Sequence, residues 1–299
     1  MTGLSMLTRR NVLCFFRDRA AVVFSFLTAM IVLVLYFLFL RNVLIDSVYS
    51  GDWTVAADGQ LPNLMDSWAM AGVVGIVSVT SCAGSLQCMV EDRVTGKSLD
   101  FMITPMKTWE LAASYVLSSF LVGLVVSAAC LAVALAFMCS TGCILAVSDV
   151  VVCILLLIPS TLSSAIIMFS LASFIGSLGA FSGFTIVMST LIGLLYGIYM
   201  PMVDLPEVVY IVCNLMPATH MAALFRQSLC SGPLGDVFMP DDASAFRSDM
   251  GIDVSLGDFQ FDAVSSIVYV SVVTLLFFVV SVAATMCRRT SARWTISRV

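Results

Sequence analysis

Charged residues are scarce in this sequence. Only 11% of its 299 residues are Asp, Glu, Lys or Arg, and 60% are hydrophobic, whereas an average soluble protein has about 25% charged residues. This scarcity excludes an ordinary soluble domain and indicates a chain that crosses a membrane several times.

The uncharged windows predict six transmembrane helices. A span needs ~17–25 mainly apolar residues to cross ~30 Å of hydrocarbon, and inside a bilayer such a window satisfies its own backbone groups only as a helix. The windows cover residues 20–40, 68–90, 111–138, 150–175, 183–203 and 263–287, with approximate ends. The first is longer than the apolar core of a signal peptide and has no small-residue cleavage site after it, so we interpret it as a retained span. The predicted fold class is an all-α membrane protein.

Ionisable side chains are missing from all six windows, which contain no Asp, Glu, Lys, Arg or His. Ion- and proton-coupled carriers usually place such groups, or unwound polar helices, at mid-membrane. Their absence disfavours a proton-driven pump. It predicts that the energy for any uphill transport enters from outside the bilayer.

Signatures of an enzyme or a metal site are missing too. The sequence has one histidine, His220, and no HExxH, GxSxG or paired-carboxylate pattern. Gly96-Lys97-Ser98 matches the end of a phosphate-binding P-loop, but that loop requires a glycine where Glu91 stands, and a preceding strand. We therefore predict no catalytic site, no metal and no nucleotide bound by this chain.

The ten cysteines form no metal-binding pattern. Two pairs, Cys139 with Cys143 and Cys213 with Cys230, fall in segments predicted to be exterior, where a disulfide is chemically allowed. The alternative is a buried free thiol, which packs as a small hydrophobic side chain. The sequence leaves both alternatives open.

The distribution of basic residues predicts the orientation. Segments 1–19, 91–110, 176–182 and 288–299 contain 11 of the 14 Lys and Arg residues. The positive-inside rule places these segments, and therefore both termini, in the cytoplasm. Most acidic residues fall in the exterior segments, and the net charge of −5 gives no basis for nucleic-acid binding. We expect a multi-pass protein of the cell membrane.

Two segments outside the spans have a pattern of their own. Residues 4–19 are amphipathic and basic, which favours a helix lying in the cytoplasmic interface, with an unstructured positive flank as the alternative. In 204–262, Pro206 and Pro217 can each open a short helix. Two short helices that re-enter the outer leaflet fit this apolar stretch, and we expect an exposed loop over 231–262.

A polar island, EDRVTGKSLDFMITPMKTWE at 91–110, separates the second and third windows. By the predicted orientation it is cytoplasmic. One interpretation is a short helix that docks into a cleft on a cytoplasmic partner, and the other is a solvated loop whose charges fix the topology.

This island resembles the loop between the second and third helices of ABC-2 type permeases, the membrane subunits of ATP-binding-cassette transporters. The matching features are an acidic start, a basic-Gly-basic stretch, an apolar patch and a Thr-Pro pair: Glu91-Asp92-Arg93, Gly96-Lys97, Leu99-Asp100-Phe101-Met102 and Thr104-Pro105. A second stretch after the fifth window is similar to the family through Leu205-Pro206, Asn214, Pro217, Thr219 and Arg226. Leu215 and Met216 separate Asn214 from Pro217, where many members have Asn-Pro adjacent.

The resemblance implies a mechanism. Two permeases, identical or related, would bind separate cytoplasmic ATPases that hold ATP and Mg, while this chain binds no cofactor. Segment 4–19 would be an elbow helix, and 91–110 would contain a coupling helix. The coupling residues would be Glu91, Asp92, Arg93, Gly96, Lys97, Phe101 and Pro105. The resemblance also implies a substrate path near Ser78, Ser81, Ser85, Thr185 and Ser189, although these hydroxyls could equally join helices, and an exterior gate at Pro206, Asn214 and Pro217.

Three functions follow as hypotheses. The leading one is the permease subunit of an ABC exporter for a hydrophobic or amphipathic drug, lipid or peptide. The alternatives are a non-transporting membrane interaction or resistance module, and a channel or secondary carrier.

Overall fold

The computed structural model describes residues 3–50, 58–98, 107–143, 145–198, 202, 205–256 and 259–296. The described part is helical apart from one small hairpin. Its helices are α1 (Gly3–Arg17), α2 (Arg19–Leu35), α3 (Arg41–Ser50), α4 (Leu61–Ser85), α5 (Gln87–Val94), α6 (Thr108–Ser140), α7 (Val147–Ala172), α8 (Leu178–Leu195), α9 (Glu207–Leu215), α10 (Pro217–Leu229), α11 (Ser231–Val237), α12 (Pro240–Asp249) and α13 (Ala263–Ile296). A π-helical turn, Tyr36–Leu40, joins α2 to α3, and a 3-10 turn, Asp58–Gln60, precedes α4. Strands β1 (Val254–Leu256) and β2 (Phe259–Phe261) pair antiparallel, with Val254 opposite Phe261.

Six helical segments of the described chain are long and apolar enough to cross a membrane. They are Arg19–Ser50, Leu61–Val94, Trp109–Ser140, Val147–Ala172, Leu178–Leu195 and Ala263–Val282. This confirms the predicted class, an all-α membrane protein with six spans.

The second span is the centre of the bundle. In its most apolar window 89% of the residues are buried, against 11% for the last span. Small residues explain this position, because they let neighbouring helices approach closely. An added Cβ at Gly72 would lie 2.5 Å from Ile198, and one at Gly75 would lie 1.9 Å from the ring of Tyr196.

The spans extend beyond the uncharged windows, and their ends carry buried charge. Asp66, in the first turns of α4, is 1% exposed. Its carboxylate accepts hydrogen bonds from the Tyr36 hydroxyl at 3.0 Å and from two nitrogens of Arg41, Nε at 2.8 Å and Nη2 at 3.1 Å. A buried carboxylate needs such partners to be stable in the charged form. This ion pair joins α4 to the π-helical turn and α3.

The expectation of an exposed loop over 231–262 is wrong. Helices α11 and α12 and the hairpin fold this segment into a lobe of residues 231–256 and 259–262, which we call the exterior lobe after the orientation that the basic residues predict. Its buried apolar residues form a second hydrophobic cluster with Trp68 and neighbours at the start of α4: Leu234, Val237, Phe238, Phe246, Met250 and Ile252. These residues are widely separated in the sequence by Gly, Asp and Ser, so the composition of the segment did not predict a core. They come together because the segment folds into two short helices and a hairpin.

Helices α9 and α10 meet at an angle of 83° with a break at Met216. Pro206 is the residue before α9, and Pro217 begins α10, as expected from the tolerance of proline in a first helical turn. Two short helices therefore lie where the sequence predicts them, and their entry into the membrane stays a prediction.

The close contact between Gly75 and the Tyr196 ring leads to a prediction about stability. Gly75→Ala places a methyl group inside the volume of the buried Tyr196 ring, and overpacking of this kind costs about 1–3 kcal/mol. Gly84→Ala in the same helix is the matched control, because its added Cβ would have no neighbour nearer than 3.8 Å and alanine favours a helix by about 1 kcal/mol. We expect a lower thermal unfolding midpoint in detergent for Gly75→Ala and an unchanged or higher one for Gly84→Ala. Equal midpoints would contradict the packing described.

Candidate functional site

The predicted coupling region contains a buried carboxylate near its start. Asp92, near the end of α5, is 1% exposed. Arg10 of α1 binds it with both terminal nitrogens, Nη1 to Oδ2 and Nη2 to Oδ1, the latter at 2.7 Å. The Tyr115 hydroxyl of α6 donates to Oδ2 at 2.8 Å. We call Arg10, Asp92 and Tyr115 the Asp92 cluster, and it joins three helices at one point.

The electrostatics of this cluster favour the ion pair. The hydrogen bonds to Asp92 raise the pKa of Arg10 above its ordinary value, because the carboxylate stabilises the charged guanidinium. The paired geometry, with two parallel N–H···O bonds, is the strongest that an arginine makes with a carboxylate. The Arg10 guanidinium is therefore charged at every physiological pH.

Arg93 connects α5 to another helix. Its Nη1 donates to the carbonyls of Ser173 at 3.1 Å and Ile175 at 3.2 Å, which follow the end of α7. Carbonyl groups at a helix C-terminus lack intrahelical donors and carry partial negative charge, so an arginine stabilises them. Helix α5 is thus connected to α1, α6 and α7 by two neighbouring residues.

The remaining polar residues of the island point elsewhere. Glu91 is half-buried and Lys97 is exposed, and Gly96 has a φ of +78°, the left-handed conformation that favours glycine. Phe101 and Pro105 lie outside the described residues. Within the described part, the island therefore has two sides. Its inward side, Asp92 and Arg93, faces the helix bundle and joins helices, and its outward side, Glu91 and Lys97, faces away from the bundle.

The predicted path residues fall into two separate sets. Three hydroxyls of α4 are buried within one chain: Ser78, Ser81 and Ser85. Ser78 Oγ lies 3.0 Å from Ser160 Oγ of α7 and donates to its own helix at Gly75 O, 2.7 Å away. These contacts are those expected of hydroxyls that join helices.

The other set lies on α8. Thr185 and Ser189 are partly exposed and donate to carbonyls of their own helix, Ser182 O at 2.9 Å and Thr185 O at 2.8 Å. Only 17% of the apolar window of α8 is buried. No hydrogen bond in the described part of the chain joins this set to the α4 serines.

The predicted exterior gate is held at the break between α9 and α10. Three consecutive carbonyls at the end of α9 accept hydrogen bonds from side chains: Cys213 O from Thr219 Oγ1 at 2.6 Å, Asn214 O from His220 Nε2 at 3.0 Å, and Leu215 O from the Tyr269 hydroxyl at 2.6 Å. The Asn214 amide donates to Ser255 O of the hairpin at 2.8 Å. The break is therefore connected to the last span and to the exterior lobe, and His220 has a structural contact there.

Sequence reasoning did not place Arg226 at a site, although the family pattern includes it. This arginine of α10 is fully buried, its guanidinium carbon lies 4.3 Å from the ring centroid of Trp68, and it has no carboxylate within ion-pair distance among the described residues. It donates instead to the carbonyls of Tyr196, Met250 and Gly251. The sequence feature that could have indicated a buried arginine is its isolated position in the apolar stretch HMAALFRQSL.

A family model described as an ABC-2 family transporter protein matches residues 54–285. The chain belongs to the ABC-2 transporter family. A search of curated proteins gives no significant match. Family membership makes this chain a membrane component of an ABC transporter and implies partner ATPases of the ABC type.

The cysteines named above as candidate disulfide partners are all free in this ABC-2 protein. Cys139 is exposed, whereas Cys143, Cys213 and Cys230 are buried. Cys143 lies 3.8 Å from the Ser67 hydroxyl, and burial raises the pKa of its thiol. Three of these four thiols thus fit the alternative of a small buried side chain.

The Asp92 cluster predicts an asymmetric response to mutation. Arg10→Gln removes the cationic partner of the buried carboxylate and leaves it the Tyr115 hydroxyl and the weaker Cys88 thiol as donors, and removing one partner of a buried pair costs about 3–5 kcal/mol. Asp92→Asn costs less, because the arginine left behind is 35% exposed and reaches water. Arg9→Gln on the exposed side of α1 is the matched control. Thermal unfolding of the three variants checks the order, and an equal loss for Arg9→Gln would contradict it.

Arg226 gives a second prediction. Arg226→Lys keeps the positive charge, but an ammonium group lacks the planar guanidinium that lies over the Trp68 ring and donates to three carbonyls. We therefore expect the exterior lobe to be destabilised. Arg247→Lys, on α12 within the lobe, is the control, because Arg247 is partly exposed and pairs with Asp253, which lysine also does. Limited proteolysis of the lobe should accelerate for Arg226→Lys alone. Similar rates for both variants would show that the buried guanidinium has no special role.

Proposed function

We propose that this chain is the transmembrane permease of an ABC exporter, and that its ATPase partner engages the outward side of the polar island. The observation that supports this most is the position of α5. Glu91 on α5 is half-buried and Lys97 just beyond it is exposed, while the adjacent Asp92 and Arg93 are joined to three other helices. A force applied at the outward side is thereby passed to the bundle.

The second span offers a route for that motion. The span Leu61–Val94 has 34 residues, about 50 Å at 1.5 Å per residue, enough to cross the bilayer. Its inner end carries Asp92, and its outer end carries Trp68, which packs against Arg226 and donates to Met250 O of the exterior lobe at 2.9 Å. Displacement of α5 would therefore reach the break at α9–α10, which we propose as the exterior gate, through a single central element.

The substrate class we propose is hydrophobic or amphipathic. The exposed faces of the first and last spans are mainly apolar, and that of the fifth combines apolar residues with hydroxyls. A second permease, identical or related, would cover part of these faces. Thr185 and Ser189 are the better-placed polar residues of the proposed path, because they are partly exposed, whereas the α4 serines are enclosed. ATP and Mg would be held by the ATPase subunits. In this arrangement both termini are cytoplasmic and transport is outward.

Two other functions remain as outcomes of the test. A non-transporting interaction module would bind a partner without ATP-dependent flux. A channel or secondary carrier would support flux without an ATPase, although the uncharged centres of the spans give no coupling group for such a carrier.

The test uses two identical substitutions at opposite ends of the molecule. Glu91→Lys reverses the charge at the outward side of the island, and Glu207→Lys reverses it at an exposed position at the start of α9. We expect Glu91→Lys to weaken co-purification with the ABC ATPase about tenfold, equivalent to ~1.4 kcal/mol, and to reduce ATP-driven efflux. Glu207→Lys should leave binding of the ATPase unchanged.

The possible results separate the hypotheses. Normal efflux in a correctly inserted Glu91→Lys variant would refute the coupling role. Binding without flux would favour the interaction module, and flux without any ATPase would favour the channel or carrier.

A further inference from the structure

Two cysteines beside the Asp92 cluster have no part in the proposed coupling. Cys14 lies on α1 and is exposed, whereas Cys88 lies on α5 and is 9% exposed. Of the cysteines whose side chains the structure describes, only Cys14 and Cys139 are exposed at the surface of the chain.

The geometry brings the two thiols together. Cys88 Sγ lies 3.3 Å from Arg10 Nη1 and 3.9 Å from Asn11 Oδ1. Cys14 follows these residues on α1 by four and three positions, so it projects from the same side of the helix, one turn further on. The thiols of Cys14 and Cys88 are near enough to interact electrostatically.

The charges around the pair assign different roles to the two sulfurs. Burial and the Asp92 carboxylate, 3.9 Å away, oppose a thiolate at Cys88, and only the Arg10 guanidinium, 3.3 Å away, favours one. Cys14 is the accessible thiol, and access decides which sulfur reacts first with a dissolved reagent. Cys88, nearby and shielded, is placed to resolve the product.

We propose that Cys14 and Cys88 form a redox-responsive dithiol site, oxidised by a low-molecular-weight disulfide to a bond that joins the elbow helix to the coupling helix. The Cys14 thiolate attacks one sulfur of the reagent disulfide, which forms a mixed disulfide and releases one thiol. The Cys88 thiolate, after losing its proton to water, then attacks Cys14 Sγ and displaces the second thiol. Both cysteines are oxidised, and one reagent disulfide is reduced to two thiols.

The consequence depends on the proposed function, because a bond between α1 and α5 matters to transport only if α5 is the coupling helix. The ion pair between Arg10 and Asp92 already joins these helices, but it can break and re-form. A covalent bond beside it would fix their relative position until a thiol reductant reverses it. Such a reversible bond suits the reducing cytoplasm, where protein disulfides are mainly transient or regulatory.

The test needs no ATPase, so its failure is distinct from failure of the proposed function. The purified chain in detergent is treated with glutathione disulfide, its remaining thiols are alkylated, and its peptides are analysed by mass spectrometry without reduction. We expect a crosslink between the Cys14 and Cys88 peptides and a loss of alkylation at both positions. Cys139→Ser is the control with the other exposed thiol removed, and it should give the same crosslink.

Two isosteric variants make the result decisive. In Cys88→Ser, Cys14 should accumulate as a stable glutathione adduct, because no thiol is left to resolve it. In Cys14→Ser, Cys88 should remain unmodified, because it is shielded. A lasting adduct at Cys14 in the unmutated chain, or no modification of Cys14 at all, would overturn the proposal. If the crosslink forms, ATP-driven efflux is then measured before and after reduction with dithiothreitol. Efflux that falls on oxidation and recovers on reduction would establish an effect on coupling. Unchanged efflux would show that the site is oxidised without affecting coupling.

Discussion

The enclosure of the second span is the constraint on which the rest of this structure depends. A helix surrounded by protein cannot send its polar groups to water, so each one needs a partner within the chain. The two charged carboxylates that its ends bury, Asp66 and Asp92, each have an arginine and a tyrosine hydroxyl as partners. The partners come from α1, α3, the π-helical turn and α6, and so the need to stabilise two charges also fixes where four other elements lie.

The exterior lobe follows the same rule with a different solution. Arg226 has backbone carbonyls rather than a carboxylate as partners, and two of them, those of Met250 and Gly251, lie at the end of α12. Gly251 adopts a φ of +64°, and an added Cβ there would lie 2.6 Å from Met202. The left-handed turn that only glycine adopts readily thus presents the carbonyls that one buried guanidinium requires.

The sequence predicted the architecture well because hydrophobic length determines membrane spans, and all six were found. The sequence did not predict features that depend on individual residues, namely the buried ion pairs and the core of the exterior lobe. The windows were chosen for lack of charge, which removed Asp66 and Asp92 from consideration as buried groups. The apolar residues of the exterior lobe, such as Phe246 and Ile252, are too sparse to predict a core without knowing the two short helices that gather them. Of the candidate site, the sequence identified the polar island, but only the structure divides Asp92 and Arg93 from Glu91 and Lys97.

The close fit of α8 against α4 limits how the bundle can rearrange. The Tyr196 ring occupies the space that a side chain at Gly75 would fill, and Ile198 does the same at Gly72. These two protrusions, at the end of α8 and just beyond it, enter two notches on one face of α4. Sliding one helix along the other would first require both side chains to withdraw, which loses their packing. Tilting about this contact keeps both side chains in place. We therefore expect α8 to pivot about its end against α4 rather than to slide along it.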